Sequence, residues 1–284
     1  MNRQKSFDTQ QATLYLVATP IGNLDEMTVR AVNTLKSVDC IAAEDTRNTM
    51  KLLNHFDIKA KLISHHEHNW KNSIPGILEM MENGQSIALV SDAGYPAISD
   101  PGTELVQAVI EAGFAVVPIS GPNACLNALV VSGITPQPFT FYGFLDHLDK
   151  NKKKELETLK KHPYTLVFYE SPYRIQKTLK VMMEIFGDRK IALCREITKR
   201  HEEIIRGTIS EVLEIEDELK GEMVLVVEGC INSEEEKEEI NVVEEVQKLI
   251  DSGMHSKEAI KQISKQYNLK KNDVYALYLE RVIK

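Results

Sequence analysis

Short apolar runs alternate with amphipathic segments over the first 125 residues, and this rhythm constrains the fold more than any other feature. The runs are TLYLVA, VDCIAA, AKLIS, SIALV and FAVVPI, which begin at residues 13, 38, 60, 86 and 114. Parallel strands are joined through crossovers that are usually helical. The alternation therefore predicts an α/β domain with a doubly wound, mostly parallel sheet covered by helices on both faces.

Polar residues and glycines at the ends of the intervening segments predict where the helices begin and end. Asp25, Thr46 and Asp100 precede helical patterns and are candidate N-caps, because their side-chain oxygens can accept from free backbone amides. Gly84 and Gly113 follow helical patterns and predict helix stops.

The rhythm breaks at GITPQPFTFYGFL, and this break predicts a passage into a second domain. We place the first α/β domain at 13–125 and a mixed α/β domain at 126–231. The acidic stretch 232–239 is too polar to pack and predicts a linker. Three helical patterns over 240–284 then predict a small helix-turn-helix-like module.

The composition is that of a soluble globular protein, with 43% hydrophobic and 27% charged residues among 284. No apolar run is long enough to cross a bilayer, and the polar N-terminus lacks a signal-peptide core. The four cysteines are far apart without a CxxC pair, which favours reduced thiols and a cytoplasmic location.

The net charge of -8 argues against a generally basic nucleic-acid binder. However, residues 151–200 hold 13 Lys and Arg against 6 Asp and Glu, whereas residues 201–250 hold 4 against 16. The first block could form a basic face. Solvated helix surfaces explain it at least as well.

Each strand of the predicted sheet ends in residues that can carry chemistry. The five strand-end loops are TPIGN (19–23), EDTR (44–47), HHEHN (65–69), SDAGYPAISDPG (91–102) and SGPNA (120–124). In open α/β sheets ligands bind beyond the carboxyl ends of the strands, so five such loops predict a site at this edge. TPIGN has a single glycine, so the dinucleotide fingerprint is absent. Glu44 nevertheless lies about where a ribose-binding acid would fall, which keeps a nucleotide-binding alternative open.

Seven ordered motifs resemble those of a known family. They are YLVATPIGNLDEMTVRAVNTLKSVDCIAAEDTR, HEHN, LVSDAGYPAISDPG, PISGPNA, FYGFL, FYESPYR and KGEMVLVVEG. From about Tyr15 to Gly229 the chain resembles the ribose 2′-O-methyltransferase branch of the tetrapyrrole (corrin/porphyrin) methylase superfamily. Two positions depart from the usual pattern: Tyr95 replaces a small residue and Tyr173 replaces a histidine.

The resemblance implies a two-domain, homodimeric enzyme that binds S-adenosylmethionine between its domains. The implied substrate is a cytidine ribose in the decoding region of 16S rRNA within the small ribosomal subunit. The implied cofactor-binding residues are Pro20, Ile21, Gly22, Gly94, Tyr95, Pro96, Ile98, Ala124, Cys125, Tyr169, Glu222, Met223 and Val224. Taken alone, the prolines are typical of rigid turns and Ile98 of a core residue.

The polar EDTR loop has two interpretations. Glu44, Asp45 and Arg47 are candidate catalytic residues, with Arg47 on phosphate and a carboxylate on the ribose. Alternatively, this is a helix cap with an Asp–Arg ion pair, which explains Asp45 well and Glu44 poorly. His66 is a further candidate because a neutral imidazole can act as a base near pH 7.

Charged residues also follow the strands of the second domain. We predict catalytic or orienting roles for Glu170, Glu196 and Lys199 and RNA-phosphate contacts for Arg174, Arg195 and Lys220. A structural ion-pair network is the alternative. We expect no metal site, because adjacent histidines in HHEH point to opposite faces of an extended segment.

Two other functions stay open from the sequence. A tetrapyrrole C-methyltransferase would share the fold, although its typical opening glycine-rich loops do not occur here. A non-catalytic ribosome-binding protein would use the C-terminal helices.

Overall fold

The first sheet of the computed structural model is entirely parallel. Its strands are β1 (Thr13–Val17), β2 (Cys40–Ala43), β3 (Lys61–Ser64), β4 (Ile87–Val90) and β5 (Ala115–Ile119), in the spatial order β3-β2-β4-β1-β5. The crossovers contain α1 (Val29–Ser37), α2 (Thr46–His55), α3 (Trp70–Glu82) and α4 (Thr103–Glu111). The structure describes residues 3–6, 11–215, 219–230, 242–267 and 269–282. The predicted α/β fold with a parallel first sheet is confirmed.

Alternate side chains of the strands enter two cores on opposite faces of this sheet. In β2, Ile41 and Ala43 pack with the cluster under α1 and α2, whereas Cys40 and Ala42 pack with the cluster under α3 and α4. Burial on both faces explains why these strands are continuously apolar rather than alternating.

The three predicted helix caps were wrong by one to three residues. Thr28, not Asp25, caps α1, because Leu24–Glu26 forms a separate 3₁₀ turn. Asp45, not Thr46, caps α2 and accepts from Arg47 N. Helix α4 starts after Gly102, so Asp100 lies in the preceding loop. The predicted stops are confirmed, since Gly84 and Gly113 have φ of 82° and 86° just beyond their helices.

The second sheet is mixed. Its strands are β6 (Phe139–Phe144), β7 (Thr165–Glu170), β8 (Lys190–Arg195), β9 (Glu203–Thr208) and β10 (Met223–Val227), in the order β6-β7-β10-β8-β9. Only the β6–β7 pair is parallel. The helices are α5 (Ala124–Val131), α6 (Asp149–Leu159), α7 (Ile175–Phe186) and α8 (Ile209–Leu213). The predicted helix near 208–219 is thus much shorter within the described residues.

Helix α5 packs against the second sheet, although the first sheet precedes it in the chain. Cys125, Ala128 and Leu129 contact the sheet face formed by residues such as Val167 and Val224. The boundary predicted at 125/126 therefore falls inside the first turn of α5. This packing brings the loop before α5, at the edge of the first sheet, close to the ends of β7 and β10.

Three further helices form a separate compact unit. They are α9 (Val242–Asp251), α10 (Ser256–Gln266) and α11 (Lys271–Val282), and they pack around Val246, Ile260, Ile263 and Val274. The chain divides into compact units at 1–230 and 231–284. The linker predicted at 232–239 lies outside the described residues. Of the helices described, none is long and apolar enough to cross a membrane.

Candidate active site

A cavity of about 390 Å³ lies where the carboxyl edge of the first sheet meets the second sheet. The first sheet contributes the loops after β1, β4 and β5, and the second contributes the ends of β6 and β7 and the start of β10. The lining residues are Ile21, Ala93, Gly94, Tyr95, Ile98, Ser99, Asp100, Asn123, Ala124, Phe144, Tyr169, Glu170, Ser171, Pro172, Ile197, Glu222, Met223 and Val224. The walls are mainly apolar, and all ionisable side chains among these residues are carboxylic acids or the tyrosine phenols.

A second pocket of about 250 Å³ has six polar or charged residues among its ten lining residues and is called the polar pocket. It is lined by Thr19, Pro20, Gly22, Leu24, Asn48, Thr49, Lys51, Leu52, Ser91 and Asp92. Thr19 and Gly94 exchange backbone hydrogen bonds of 2.9 and 3.0 Å. Because Thr19 lines the pocket and Gly94 lines the cavity, this bridge forms part of the wall between them.

Three carboxylates gather at the edge of the first sheet near both spaces. Asp92 N lies 3.4 Å from Glu44 Oε2, and Asn48 Nδ2 donates to Asp92 Oδ2 at 3.0 Å. Burial raises the pKa of Glu44, and the nearby charges of Asp100 and Asp92 add to the shift. Burial also raises the pKa of Asp100, with a contribution from Asp92. Glu44 therefore has the environment of a proton acceptor.

The neighbouring Asp45 and Arg47 form a cap and an ion pair. Asp45 Oδ1 accepts from Arg47 N at 2.8 Å, and Arg47 Nη2 lies 2.7 Å from Asp45 Oδ2. The hydrogen bonds from Arg47 lower the pKa of Asp45 to about 2. The capping interpretation accounts for both residues, and a carboxylate of such low basicity is a poor base. Arg47 keeps a side chain 87% exposed, at the start of the helix that also carries Lys51.

The turn between β8 and β9 carries backbone strain beside the cavity. Glu196 and Thr198 have φ of 52° and 72°, although neither is glycine. The turn is fixed by hydrogen bonds from Glu222 N to Glu196 Oε1 and from Thr198 N to Glu202 Oε2. Strained residues persist where their surroundings over-determine them, as at ligand sites. Here the turn places Ile197 in the cavity lining.

Lys199 extends from this turn to the TPIGN loop of the first domain. Its Nζ donates to Glu196 Oε1 at 2.9 Å and to Glu222 Oε2 at 3.0 Å. Burial lowers the pKa of Lys199, but these hydrogen bonds outweigh it and the pKa is raised. A Cβ at Gly22, where φ is 144°, would overlap Lys199 Cγ and lie 2.8 Å from Cε. Gly22 thus makes room for Lys199.

The predicted RNA contacts Arg174 and Arg195 already have protein partners. Arg174 Nη2 donates to the carbonyls of Leu145 and Asp146, at 2.6 and 3.1 Å. Arg195 pairs with Glu203 and donates to Lys220 O. For both arginines the geometry favours the structural alternative. The RNA-contact assignment, which also includes Lys220, stays a prediction.

His66 lies in the loop after β3 with its ring turned to its own segment. Its Nδ1 accepts from His68 N at 3.2 Å, and its backbone N donates to Asn69 Oδ1 at 2.8 Å. Its role as a base stays a prediction, and the loop's internal hydrogen bonds suit a structural turn. Across the described residues no cluster of three His, Cys, Asp or Glu suits a metal ion.

The structure gathers most of the predicted cofactor residues in one place. The cavity lining contains Ile21, Gly94, Tyr95, Ile98, Ala124, Tyr169, Glu222, Met223 and Val224. Pro20 and Gly22 instead line the polar pocket, while Pro96 and Cys125 line neither space. Cys125 lies in the core under α5. The hydroxyl of Tyr95 accepts from Gly121 N, so this unusual residue ties two cavity loops together, whereas Tyr173 is 95% exposed.

Sequence reasoning missed several lining residues. Asp100 was interpreted as a helix cap because of the residues around it. Its position in a strand-end loop was the signal that could have marked it as a site residue. Phe144 belongs to the FYGFL motif but was given no role there, and Ile197 lies outside every motif. Asp92 belongs to the same loop as Asp100 and reaches the polar pocket instead.

A cavity where the carboxyl edge of a parallel α/β sheet meets a second, mixed sheet is typical of an α/β enzyme that binds a small ligand. Residues 13–213 match the family model of the Tetrapyrrole (Corrin/Porphyrin) Methylases, and the chain belongs to this family. It is accordingly an S-adenosylmethionine-dependent methyltransferase.

Curated relatives and solved structures agree with this membership. Two of these relatives are called "Ribosomal RNA small subunit methyltransferase I". The protein from Bacillus subtilis is 53% identical over 98% of both chains. The protein from Synechocystis is 42% identical over 94% of this chain and 97% of its own. A cobalt precorrin-4 methyltransferase matches with a TM-score of 0.56 and 19% identity, covering 75% of this chain and 94% of its own. A uroporphyrin-III-C-methyltransferase from Thermus thermophilus matches with a TM-score of 0.55 and 17% identity, covering 77% of this chain and 94% of its own. At such identities the structural likeness shows the fold alone.

Proposed function

We propose that this protein transfers a methyl group from S-adenosylmethionine to the 2′-hydroxyl of a cytidine in 16S rRNA of the small ribosomal subunit. The observation that carries the proposal is the identity of 53% and 48%, over 98% of this chain, to relatives named for small-subunit rRNA methylation. Because the match covers both domains and the helical unit, it includes every part of the proposed site. A protein acting on this subunit would work in the cytoplasm.

The apolar cavity is the proposed cofactor site, and its residues fit that ligand. S-adenosylmethionine has a flat adenine ring and carries a sulfonium, an ammonium and one carboxylate, so its net charge is positive. The cavity offers apolar side chains such as Ile98 and Met223 for the ring, and the carboxylates of Asp100, Glu170 and Glu222 for the positive charges. Its volume lies within the range of roughly 300–1,000 Å³ that is usual for ligand pockets.

The polar pocket is the proposed entrance for the RNA strand. The Thr19–Gly94 bridge links it to the cavity, and Lys51 lines it. The exposed Arg47, which is paired with Asp45, lies one turn earlier on the same helix. Cations hold phosphates, and an unpaired nucleotide can be recognised by polar side chains such as Asn48 and Asp92. An acceptor ribose at the boundary of the two spaces would lie beside Glu44.

Glu44 is the proposed general base. The bound cofactor supplies an electrophilic methyl carbon on its sulfonium. Attack by the 2′-oxygen forms the O–C bond as the C–S bond breaks, and Glu44 takes the hydroxyl proton. The raised pKa of Glu44 suits this step, because a base works best when its pKa approaches the working pH. The apolar walls exclude water, and the two domains hold donor and acceptor in line.

Small subunits from a strain that lacks this enzyme provide the direct test. Purified protein with methyl-labelled cofactor should label their rRNA, and mass spectrometry of nuclease digests should find 2′-O-methylcytidine at one position. Label on a base, or none on rRNA, would contradict the proposal. Methylation of a uroporphyrinogen or precorrin instead would favour the small-molecule alternative.

We also propose that the protein acts as a homodimer. Leu126 and Val130 lie four residues apart on α5 and are 48% and 75% exposed, so they form an apolar strip. A second copy would cover this strip. Analytical ultracentrifugation should give a dimer for the wild type and a monomer for Val130→Glu, and a monomeric wild type would refute the assignment.

A further inference from the structure

A fully buried lysine lies behind the wall of the cavity. Lys152, in α6, is 1% exposed and is the largest fully buried side chain among the residues described. Its Nζ donates to Thr178 Oγ1 at 3.0 Å, and Thr178 Oγ1 donates to Glu170 Oε2 at 2.6 Å. The hydroxyl thus accepts from the ammonium and donates to the carboxylate, so the chain of hydrogen bonds has a fixed direction.

Glu170 is the end of this chain that reaches the ligand cavity. It is 3% exposed, it ends β7 and it lines the cavity. Its Oε1 accepts from Ser171 N at 2.9 Å and lies 3.1 Å from Arg174 Nε. The carboxylate therefore has one cation beside it and a second cation behind it, through Thr178.

Such an arrangement costs more than it contributes if packing is its only purpose. Moving charges out of water is expensive, and apolar side chains of similar volume often replace a buried ion pair without loss of stability. Burial lowers the pKa of Lys152, and the charge of Glu170 opposes this effect. A buried carboxylate supported by two cations makes physical sense where a fixed negative charge is required.

We propose that Lys152 is a positioning residue for cofactor binding: through Thr178 it holds the Glu170 carboxylate in place in the cavity wall, where the carboxylate attracts a sulfonium. This inference rests on the proposed assignment of the cavity as the cofactor site. It adds the statement that a residue outside the cavity sets the preference of the site for a cationic ligand.

The next residue in the chain provides a matched control. Lys153 Nζ lies 2.7 Å from Glu184 Oε2, and both side chains are substantially exposed. Lys153→Met removes the same charge as Lys152→Met from the same helix, but from the solvent side. A nonspecific effect of net charge or of α6 stability would therefore appear in both variants.

Calorimetric titration with S-adenosylmethionine and S-adenosylhomocysteine tests the proposal. The two ligands share the ammonium and the adenosyl group, but the second has a neutral sulfur. We expect Lys152→Met to weaken S-adenosylmethionine about tenfold, which corresponds to about 1.4 kcal/mol, and S-adenosylhomocysteine less than about threefold. Lys153→Met should leave both affinities within about twofold. Equally weakened binding of both ligands would indicate that the cavity wall has moved. Unchanged affinities would show that the contact from Lys152 through Thr178 to Glu170 does not affect cofactor binding. Either result overturns the inference.

A second pair of variants keeps the test decisive if Lys152→Met does not fold. Thr178→Val removes the bridging hydroxyl but no charge. Like Lys152→Met, it should weaken the binding of S-adenosylmethionine more than that of S-adenosylhomocysteine. Thr178→Ser retains the hydroxyl and should restore the wild-type ratio. Failure of Thr178→Val to change the ratio would contradict the relay.

The assignment of the cavity can fail separately. Ile98→Trp would place an indole in the cavity and should abolish binding of both ligands. If Ile98→Trp bound them normally, the proposed cofactor site would be wrong. If it abolished binding while Lys152→Met kept the wild-type ratio, only the role of Lys152 would be refuted.

Discussion

Glu44 and Asp45 are adjacent carboxylates with opposite environments. Asp45 accepts hydrogen bonds at the start of α2, and its pKa falls to about 2. Glu44 is partly buried near two further carboxylates, and its pKa is raised. Neighbouring acids whose pKa values are driven apart often have separate roles. Asp45 therefore serves as a helix cap, whereas Glu44 has the environment that the proposed base requires.

Replacing Glu44 should separate stability from activity. Because the folded-state pKa of Glu44 is raised, its ionisation destabilises the fold at neutral pH, and this cost disappears as pH falls below about 4, where the unfolded group also binds a proton. Glu44→Gln should therefore raise the melting temperature at pH 7.5, with little difference near pH 4. Loss of a general base should also reduce kcat about 100-fold or more. Calorimetric melts and single-turnover methylation check both, and retained kcat would exclude Glu44 as the base.

Replacing Asp45 should show the reverse pattern. A carboxylate with a depressed pKa stabilises the fold above its unfolded pKa, and this contribution is lost as pH falls through the folded value of about 2. Asp45→Ala should thus lower the melting temperature at pH 7.5, with the difference narrowing below about pH 4. Asp45→Asn keeps a side-chain oxygen that can cap α2, so it should lower the melting temperature less than Asp45→Ala does. Turnover should change less than tenfold, and a 100-fold loss with normal folding would restore the catalytic assignment.

Among the structural elements, the β8–β9 turn of the second sheet packs closely against the TPIGN loop of the first sheet. Gly22 makes room for Lys199, and a Cβ at Gly221 would overlap the carboxyl group of Glu196. Two glycines in separate loops are therefore required by side chains of one strained turn. This mutual fit orders the boundary between the cavity and the polar pocket.

A double-mutant cycle measures this fit. Gly22→Ala should destabilise the wild type because its Cβ overlaps Lys199 and because φ is 144°. In a Lys199→Ala background only the backbone strain persists, so the same substitution should cost less. Urea denaturation should give a coupling free energy of about 0.5–3 kcal/mol, the range for residues that touch. Additive effects within about 0.5 kcal/mol would show that the two residues do not interact.

The sequence predicted the elements of this site better than their assembly. Strand ends could be recognised because the change from apolar runs to TPIGN or SDAGYP is local. TPIGN is divided between two spaces, with Ile21 in the cavity and Gly22 in the pocket, and Gly22 lies against Lys199 from a distant part of the chain. Asp100 was missed for a related reason: its sequence suits a cap, and only the actual start of α4 places it in the loop.

Several cations of the basic block at 151–200 are engaged within the protein. Lys152 is buried, and Arg174 and Arg195 are bound to protein groups. Lys153 and Lys177 pair with Glu184 and Asp149. Counting charges along the sequence therefore does not show which cations of this block already have partners, and the basic face stays a prediction.

Helix α10 presents a more regular set of cations. Lys257, Lys261 and Lys265 are spaced four residues apart and are exposed, so they lie along one side of the helix. A row of this kind can follow an RNA backbone. We therefore expect the 231–284 unit to contribute to substrate affinity, while the cofactor cavity depends only on residues of the 1–230 unit.

A chain ending at Cys230 tests this division of labour. It should bind S-adenosylmethionine within about twofold of the full chain, because all cavity-lining residues remain. Its methylation of small subunits should require higher substrate concentrations. The slope of log affinity against log salt should fall by about 0.7 for each phosphate that is no longer neutralised, or by about 2 for three lysines.

The full chain with Lys257, Lys261 and Lys265 all changed to Gln is the matched control for this truncation. It removes the same three charges but keeps the helical unit, so it should reproduce the reduced salt slope with normal cofactor binding. Weak cofactor binding by the shortened chain would show that the helical unit supports the cavity. An unchanged salt slope in the triple variant would mean that α10 does not bind the RNA backbone, because neutralised phosphates alone set that slope.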